Sequence, residues 1–176
     1  LYCKTTNTVE PVEGIHYMFQ QHGGSLLTHY AVGENSLDKI DLLKLNRNFA
    51  ILMDGDGDGD LTITPDKSSS NGKQAKVAIV AGIEKQASKT CRYFVTPGYT
   101  IESSLPEKFR LKFFGDKNGR LIHKQNLSKF LASQKYTKEF KEWGSCFDQS
   151  YNMNQIVEGI VKVIYLWNSG AIEAAH

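Results

Sequence analysis

Four aspartates stand one glycine apart in the segment Asp54-Gly55-Asp56-Gly57-Asp58-Gly59-Asp60. Carboxylates at this density repel one another, so the segment calls for a cation among them. Two chemistries compete for it. A helix-flanked calcium loop wants oxygen ligands at positions 1, 3 and 5, glycine at 6, an aliphatic residue at 8 and a bidentate glutamate at 12. Counting from Asp54, the chain supplies Asp54, Asp56 and Asp58, then Gly59, Leu61 and Thr62, but Pro65 falls where the glutamate belongs. A magnesium site asks for less: one or two carboxylates, with water and substrate phosphate filling the rest of the shell. Asp54 and Asp56, at i and i+2 of an extended segment, point to one side, and Gly55 lets the backbone bend between them. Asp58 and Asp60 then extend the loop, with Asp58 an auxiliary ligand. A calcium-binding structural or binding module without catalysis remains the alternative.

The element that must position Asp54 is the apolar run Phe49-Ala50-Ile51-Leu52-Met53. A continuous run of this length predicts a strand buried on both faces of a parallel sheet, and in such sheets ligands collect at the carboxyl ends of the strands. Upstream, Ile15 to Gln21 reads as a strand closed by Gly23-Gly24. Leu26, Leu27 and Tyr30 predict a short helix, and Ser36 caps a second one carrying Leu37, Ile40, Leu43 and Leu45. Downstream, 61–71 reads as a loop, 74–89 as a helix, 91–96 as a strand stopped by Pro97-Gly98, 101–105 and 125–133 as helices, and 153–167 as an amphipathic helix. The stretch 111–114 shows no clear preference. Strands alternating with helices predict an α/β sandwich with a mainly parallel sheet flanked by helices. The expected division is a catalytic part over 1–122 and a helical C-terminal part of the same domain over 123–176.

Composition sets the bounds. The chain has 176 residues, 40% hydrophobic and 23% charged, which is the balance of a soluble globular domain. No apolar run reaches the ~18 residues of a membrane span, and no secretory signal is visible, so no membrane partner is expected. Cys3, Cys91 and Cys146 fit no disulfide framework or zinc spacing; they read as reduced, buried thiols in a cytoplasmic protein. His16, His22 and His29 stand at no metal-binding spacing. The net charge is +2, but ten Lys/Arg fall between Lys108 and Lys141, against Asp116 and Glu139. Lys108, Arg110, Lys112, Lys117 and Arg120 open this basic stretch. Paired with an acidic metal site, it suits a protein that handles a phosphodiester backbone; alone, it is a solvated face.

Three ordered segments carry a family resemblance. Residues 13–30, from Glu13-Gly14-Ile15-His16-Tyr17 through Gly23-Gly24 to His29-Tyr30, are the first. Asn46-Arg47-Asn48-Phe49-Ala50 running into Asp54-Gly55-Asp56 is the second. Gly98-Tyr99-Thr100-Ile101-Glu102-Ser103-Ser104-Leu105-Pro106 is the third. Together they resemble the Toprim nuclease domain carried by AAA ATPases of the overcoming-lysogenization-defect family. The resemblance covers roughly residues 13 to 131, and more loosely the chain to Asn168. It implies a Toprim-like Rossmannoid fold and metal-dependent DNA cleavage by two Mg²⁺ or Mn²⁺ ions. It also implies an ATPase domain elsewhere in the same polypeptide, which handles ATP and forms a homo-oligomer, and a role in defence against phage. Asp54 and Asp56 carry over as catalytic metal ligands. Glu102 takes the second metal, and Lys124 the place of the lysine that faces the scissile phosphate. Two departures stand out. The glutamate that closes the first Toprim strand has no match, and the chain opens on Leu1 as though part of a longer protein, with that strand upstream or the copy inactive and used for docking. Ser103-Ser104 replaces an Asn-Tyr pair.

Overall fold

In the computed structural model, the residues described are 3, 6–22, 24–33, 37–55, 71–86, 90–96, 100, 103, 107–117, 120–123 and 151–169. A 3₁₀ helix, Gly24–His29, leads into β1 (Tyr30–Ala31). Then follow β2 (Ile40–Asp41), α1 (Leu42–Leu45), β3 (Phe49–Asp54), α2 (Asn71–Glu84), β4 (Cys91–Thr96), α3 (Glu107–Phe113), β5 (Phe114–Lys117), β6 (Arg120–His123) and α4 (Tyr151–Trp167). This is an α/β architecture. Among the described residues the strands form three two-stranded sheets, β1–β2, β3–β4 and β5–β6, in place of the single sheet expected. β1–β2 is parallel, and β5–β6 is an antiparallel hairpin. No helix among the described residues is long and apolar enough to cross a membrane.

The contacts divide the chain into two compact units, one of Leu1–Thr8, Asp54–Gly59 and Val95–Glu158, the other of Val9–Met53, Asp60–Phe94 and Gly159–His176. In the second unit, α2 presents Lys76, Ile79, Val80 and Ile83 as one buried stripe at i, i+3, i+4 and i+7. The lysine stem extends that apolar face. The helix lies against β1 so closely that a Cβ on Gly82 would fall 2.6 Å from the carbonyl oxygen of Val32. β4 is covered on both sides, because successive residues of a strand point to opposite faces. Tyr93 donates its hydroxyl to Glu84 Oε1 of α2 at 2.9 Å, while Phe94 meets α4 at Gly159. The Trp167 indole of α4 donates to the Thr90 carbonyl at 2.7 Å, and Tyr165 donates to the Val9 carbonyl.

The first unit is built on the α3–β5–β6 turn. Among the described residues, Phe113 and Phe114, at the junction of α3 and β5, are its most deeply buried aromatics. The hairpin pairs Phe114 with His123 and Lys117 with Arg120.

Several sequence expectations are corrected. Ile15 to Gln21 is not a strand. Gly14 takes φ +82°, Ile15 and His16 both donate to the Val12 carbonyl, and the chain turns back on itself, leaving only an isolated bridge between Glu13 and Tyr17. The helix expected after Ser36 is shorter and later. Asp41, not Ser36, caps it; its carboxylate accepts from the Leu43 amide, and Ile40–Asp41 is spent on pairing with β1. The irregular spacing of Leu37, Ile40, Leu43 and Leu45 gives no continuous helical stripe, and Leu37 lies fully exposed. β3 is as expected in place but not in burial: Ile51 and Met53 are buried, whereas Leu52 between them is 36% exposed. Residues 111–114 divide between the end of α3 and the start of β5. The helices expected over 101–105 and 125–133, and most of the loop over 61–71, lie outside the described residues, except that Ser103 and Asn71 are described.

Candidate functional site

The site is set by how β3 and β4 run. Both are six residues long and pair with each other. The Thr90 hydroxyl donates to the Arg47 carbonyl at 2.9 Å, and the Cys91 thiol reaches the same carbonyl at 3.3 Å. The start of β4 therefore lies beside the start of β3, and the two strands run in parallel. Their last residues, Asp54 and Thr96, close the same carboxyl edge, and both belong to the same compact unit. In open α/β folds this edge is where ligands bind.

Asp54 is half-buried at the end of β3, and Gly55 behind it is buried. The residue is thus partly open to solvent while the strand holds its backbone. Thr96 is 1% exposed, and its Oγ1 has no hydrogen-bond partner among the described residues. Sequence reasoning missed Thr96. The signal available was a β-branched hydroxyl on the last strand position before Pro97, a residue without an N–H to offer.

Asp56, Asp58, Glu102 and Lys124 lie outside the described residues. Among the described residues no group of three or more His, Cys, Asp or Glu side chains gathers as a metal site. What is described at the edge is one carboxylate and one hydroxyl. Both are hard oxygen donors of the kind that Mg²⁺ or Mn²⁺ accepts, and neither is a soft ligand. The residues present fit such a cation in kind. The Ser103 amide donates to the Thr100 carbonyl at 2.9 Å.

The basic residues fall on three consecutive elements of the same unit. Lys108, Arg110 and Lys112 lie on α3, and Lys117 and Arg120 are Cα partners at the turn end of the β5–β6 ladder. Lys112 and Lys117 are exposed. The Lys112 ammonium sits 5.4 Å from the Phe113 ring centroid, within cation–π range. Arg110 is half-buried, and its Nε has no hydrogen-bond partner among the described residues.

Cys3 and Cys91 are free and buried. Burial pushes the Cys91 thiol above its ordinary 9.0, partly offset by Thr90, the Phe49 backbone and Arg92. It is a packed thiol rather than a nucleophile. Comparison of the chain with protein-family profiles, with curated proteins and with solved structures gives no match.

Proposed function

We propose that this chain is a Mg²⁺- or Mn²⁺-dependent endonuclease domain of Toprim type, acting on DNA phosphodiesters. The observation that carries the reading is the placement of Asp54 on the carboxyl edge of a parallel strand pair, half-buried and followed by Gly55. The calcium alternative asks for an entering helix before Asp54; the residues there form β3 instead.

In this reading Asp54 and Asp56 hold the cation, Asp58 supports the loop, and Glu102 serves a second ion. The bound ions supply Lewis acidity and lower the pKa of a water. The rest falls to the chain. Arg110, Lys112, Lys117, Lys108 and Arg120 attract and seat the phosphate backbone without reading sequence. Lys124 offsets charge that develops on the scissile phosphate. An ATPase domain of the same polypeptide handles ATP and assembles the homo-oligomer. The biological setting is defence against phage in the cytoplasm.

The test is nicking of supercoiled DNA by the full-length protein. Nicking with Mg²⁺ or Mn²⁺ that is lost in Asp54→Ala supports the reading. Absence of nicking with either ion, together with a strong rise in melting temperature on adding Ca²⁺, overturns it in favour of a calcium-stabilised module.

A further inference from the structure

Two buried side chains among the described residues show the usual pairing. Asp41 accepts from the amides of Gly33 and Leu43, and the Cys91 thiol reaches the Arg47 carbonyl. Among the described residues three buried polar atoms lack a hydrogen-bond partner, His22 Nδ1, Arg110 Nε and Thr96 Oγ1, and of these three residues Thr96 alone is itself buried, at 1% exposure. A buried hydroxyl without a partner costs about 1–3 kcal/mol. Valine has the same shape and no such cost, so packing alone gives no reason for threonine.

Thr96 ends β4 on the edge that Asp54 also closes, in the same compact unit. We propose that Thr96 is a positioning residue of the Asp54 site, its hydroxyl accepting a hydrogen bond from a water on a hydrated divalent cation. This inference rests on the metal-dependent reading given above. The chemistry suits the ion: Mg²⁺ and Mn²⁺ at sites with one or two carboxylates keep several waters, and those waters need acceptors. A hydroxyl held by a strand supplies one without adding charge.

The test uses the full-length protein with Thr96→Val and Thr96→Ser, read by Mn²⁺ titration in electron paramagnetic resonance and by thermal melting without metal. Loss of an outer-sphere contact weakens metal binding by roughly 10-fold or more. Thr96→Val is expected to melt no lower than the parent and to bind Mn²⁺ about 10-fold more weakly, and Thr96→Ser to restore binding. Parental Mn²⁺ affinity in Thr96→Val overturns the inference while leaving the nuclease reading intact. A lowered melting point in metal-free Thr96→Val also overturns it, because the hydroxyl then has a structural partner. Should the parent protein bind no Mn²⁺ that Asp54→Ala removes, the metal reading itself fails and takes this inference with it.

Discussion

A Cβ added to Gly159 would lie 2.5 Å from Cε1 of Phe94, so α4 rests on β4 with no room for a side chain. The contact is helix against aromatic ring, and a ring can shift by a few tenths of an ångström. Gly159→Ala is expected to destabilise the fold by about 1–3 kcal/mol, the usual cost of overpacking. Pairing it with Phe94→Leu should return part of the loss, because the two changes share one contact. Urea unfolding of the single and double variants measures this. Additive losses would show that the contact does not couple the two residues.

The second close approach is stiffer. A Cβ on Gly82 would meet the Val32 carbonyl oxygen at 2.6 Å, and that neighbour is backbone. Alanine gains about 1 kcal/mol over glycine in helix propensity. Here that gain is outweighed, since α2 must move off β1. Gly82→Ala should lower stability more than Gly159→Ala does, by the same urea measurement, and a neutral Gly82→Ala would count against the packing.

These two glycines mark where the sequence was hard to read. Glycine within a helical pattern lowers a helix assignment and says nothing about which neighbour requires it. The helices around them were legible, because Ile79, Val80 and Ile83 on α2, and Ile156, Val163 and Ile164 on α4, repeat at helical spacing and are buried. β3 and β4 were legible as strands from Phe49 to Met53 and from Cys91 to Thr96. What failed was local. Ile15, Tyr17 and Phe19 alternate like a strand, yet the turn at Gly14 leaves Ile15 and Phe19 at 74% and 70% exposure. At the site, Asp54 was legible because an apolar run ends on it. Thr96 was not, since its interest lies in a missing partner, which only packing can reveal.

Asp41 ties two elements together through one oxygen. Its Oδ1 accepts from the Gly33 amide at 3.0 Å and from the Leu43 amide at 3.1 Å, joining the exit of β1 to the start of α1. Asp41→Ala removes a helix cap, worth about 1 kcal/mol, and strips the Gly33 amide of its acceptor. The expected total is about 2 kcal/mol. Asp41→Asn keeps an acceptor oxygen and should lose less. Equal losses in the two variants would show that charge, not the hydrogen bonds, is what matters there.

Cys91 gives the fold an alkaline sensitivity. Burial holds its thiol above 9.0 in the folded chain. Above that value the unfolded thiol loses its proton while the folded one retains it, so ionisation favours unfolding. The contribution is absent at neutral pH and grows as pH rises from about 9 through the folded value. Stability should therefore fall on the alkaline side, and Cys91→Ala should flatten that fall while lowering stability at pH 7 through lost packing. Denaturant midpoints from pH 7 to 10.5 test the sign; a parallel fall in both proteins removes Cys91 as the cause. In the native protein the same thiol should react slowly with thiol reagents at pH 8.

Lys112 and Lys117 are exposed on the α3–β5–β6 turn, so removing their charge should leave folding intact. Their proposed work is to neutralise backbone phosphates. Each phosphate contact releases counterions, and the slope of log K against log salt changes by about 0.9 per contact on duplex DNA. Lys112→Gln with Lys117→Gln should weaken DNA binding at low salt and make the slope shallower by roughly 1 to 2. The loss should be uniform across DNA sequences, because phosphate contacts position without specifying. Lys85→Gln, on the exposed end of the α2 segment, is the control and should leave the slope unchanged. Fluorescence anisotropy over a salt series reads both quantities. An unchanged slope in the double variant would return this basic stretch to the status of a solvated face.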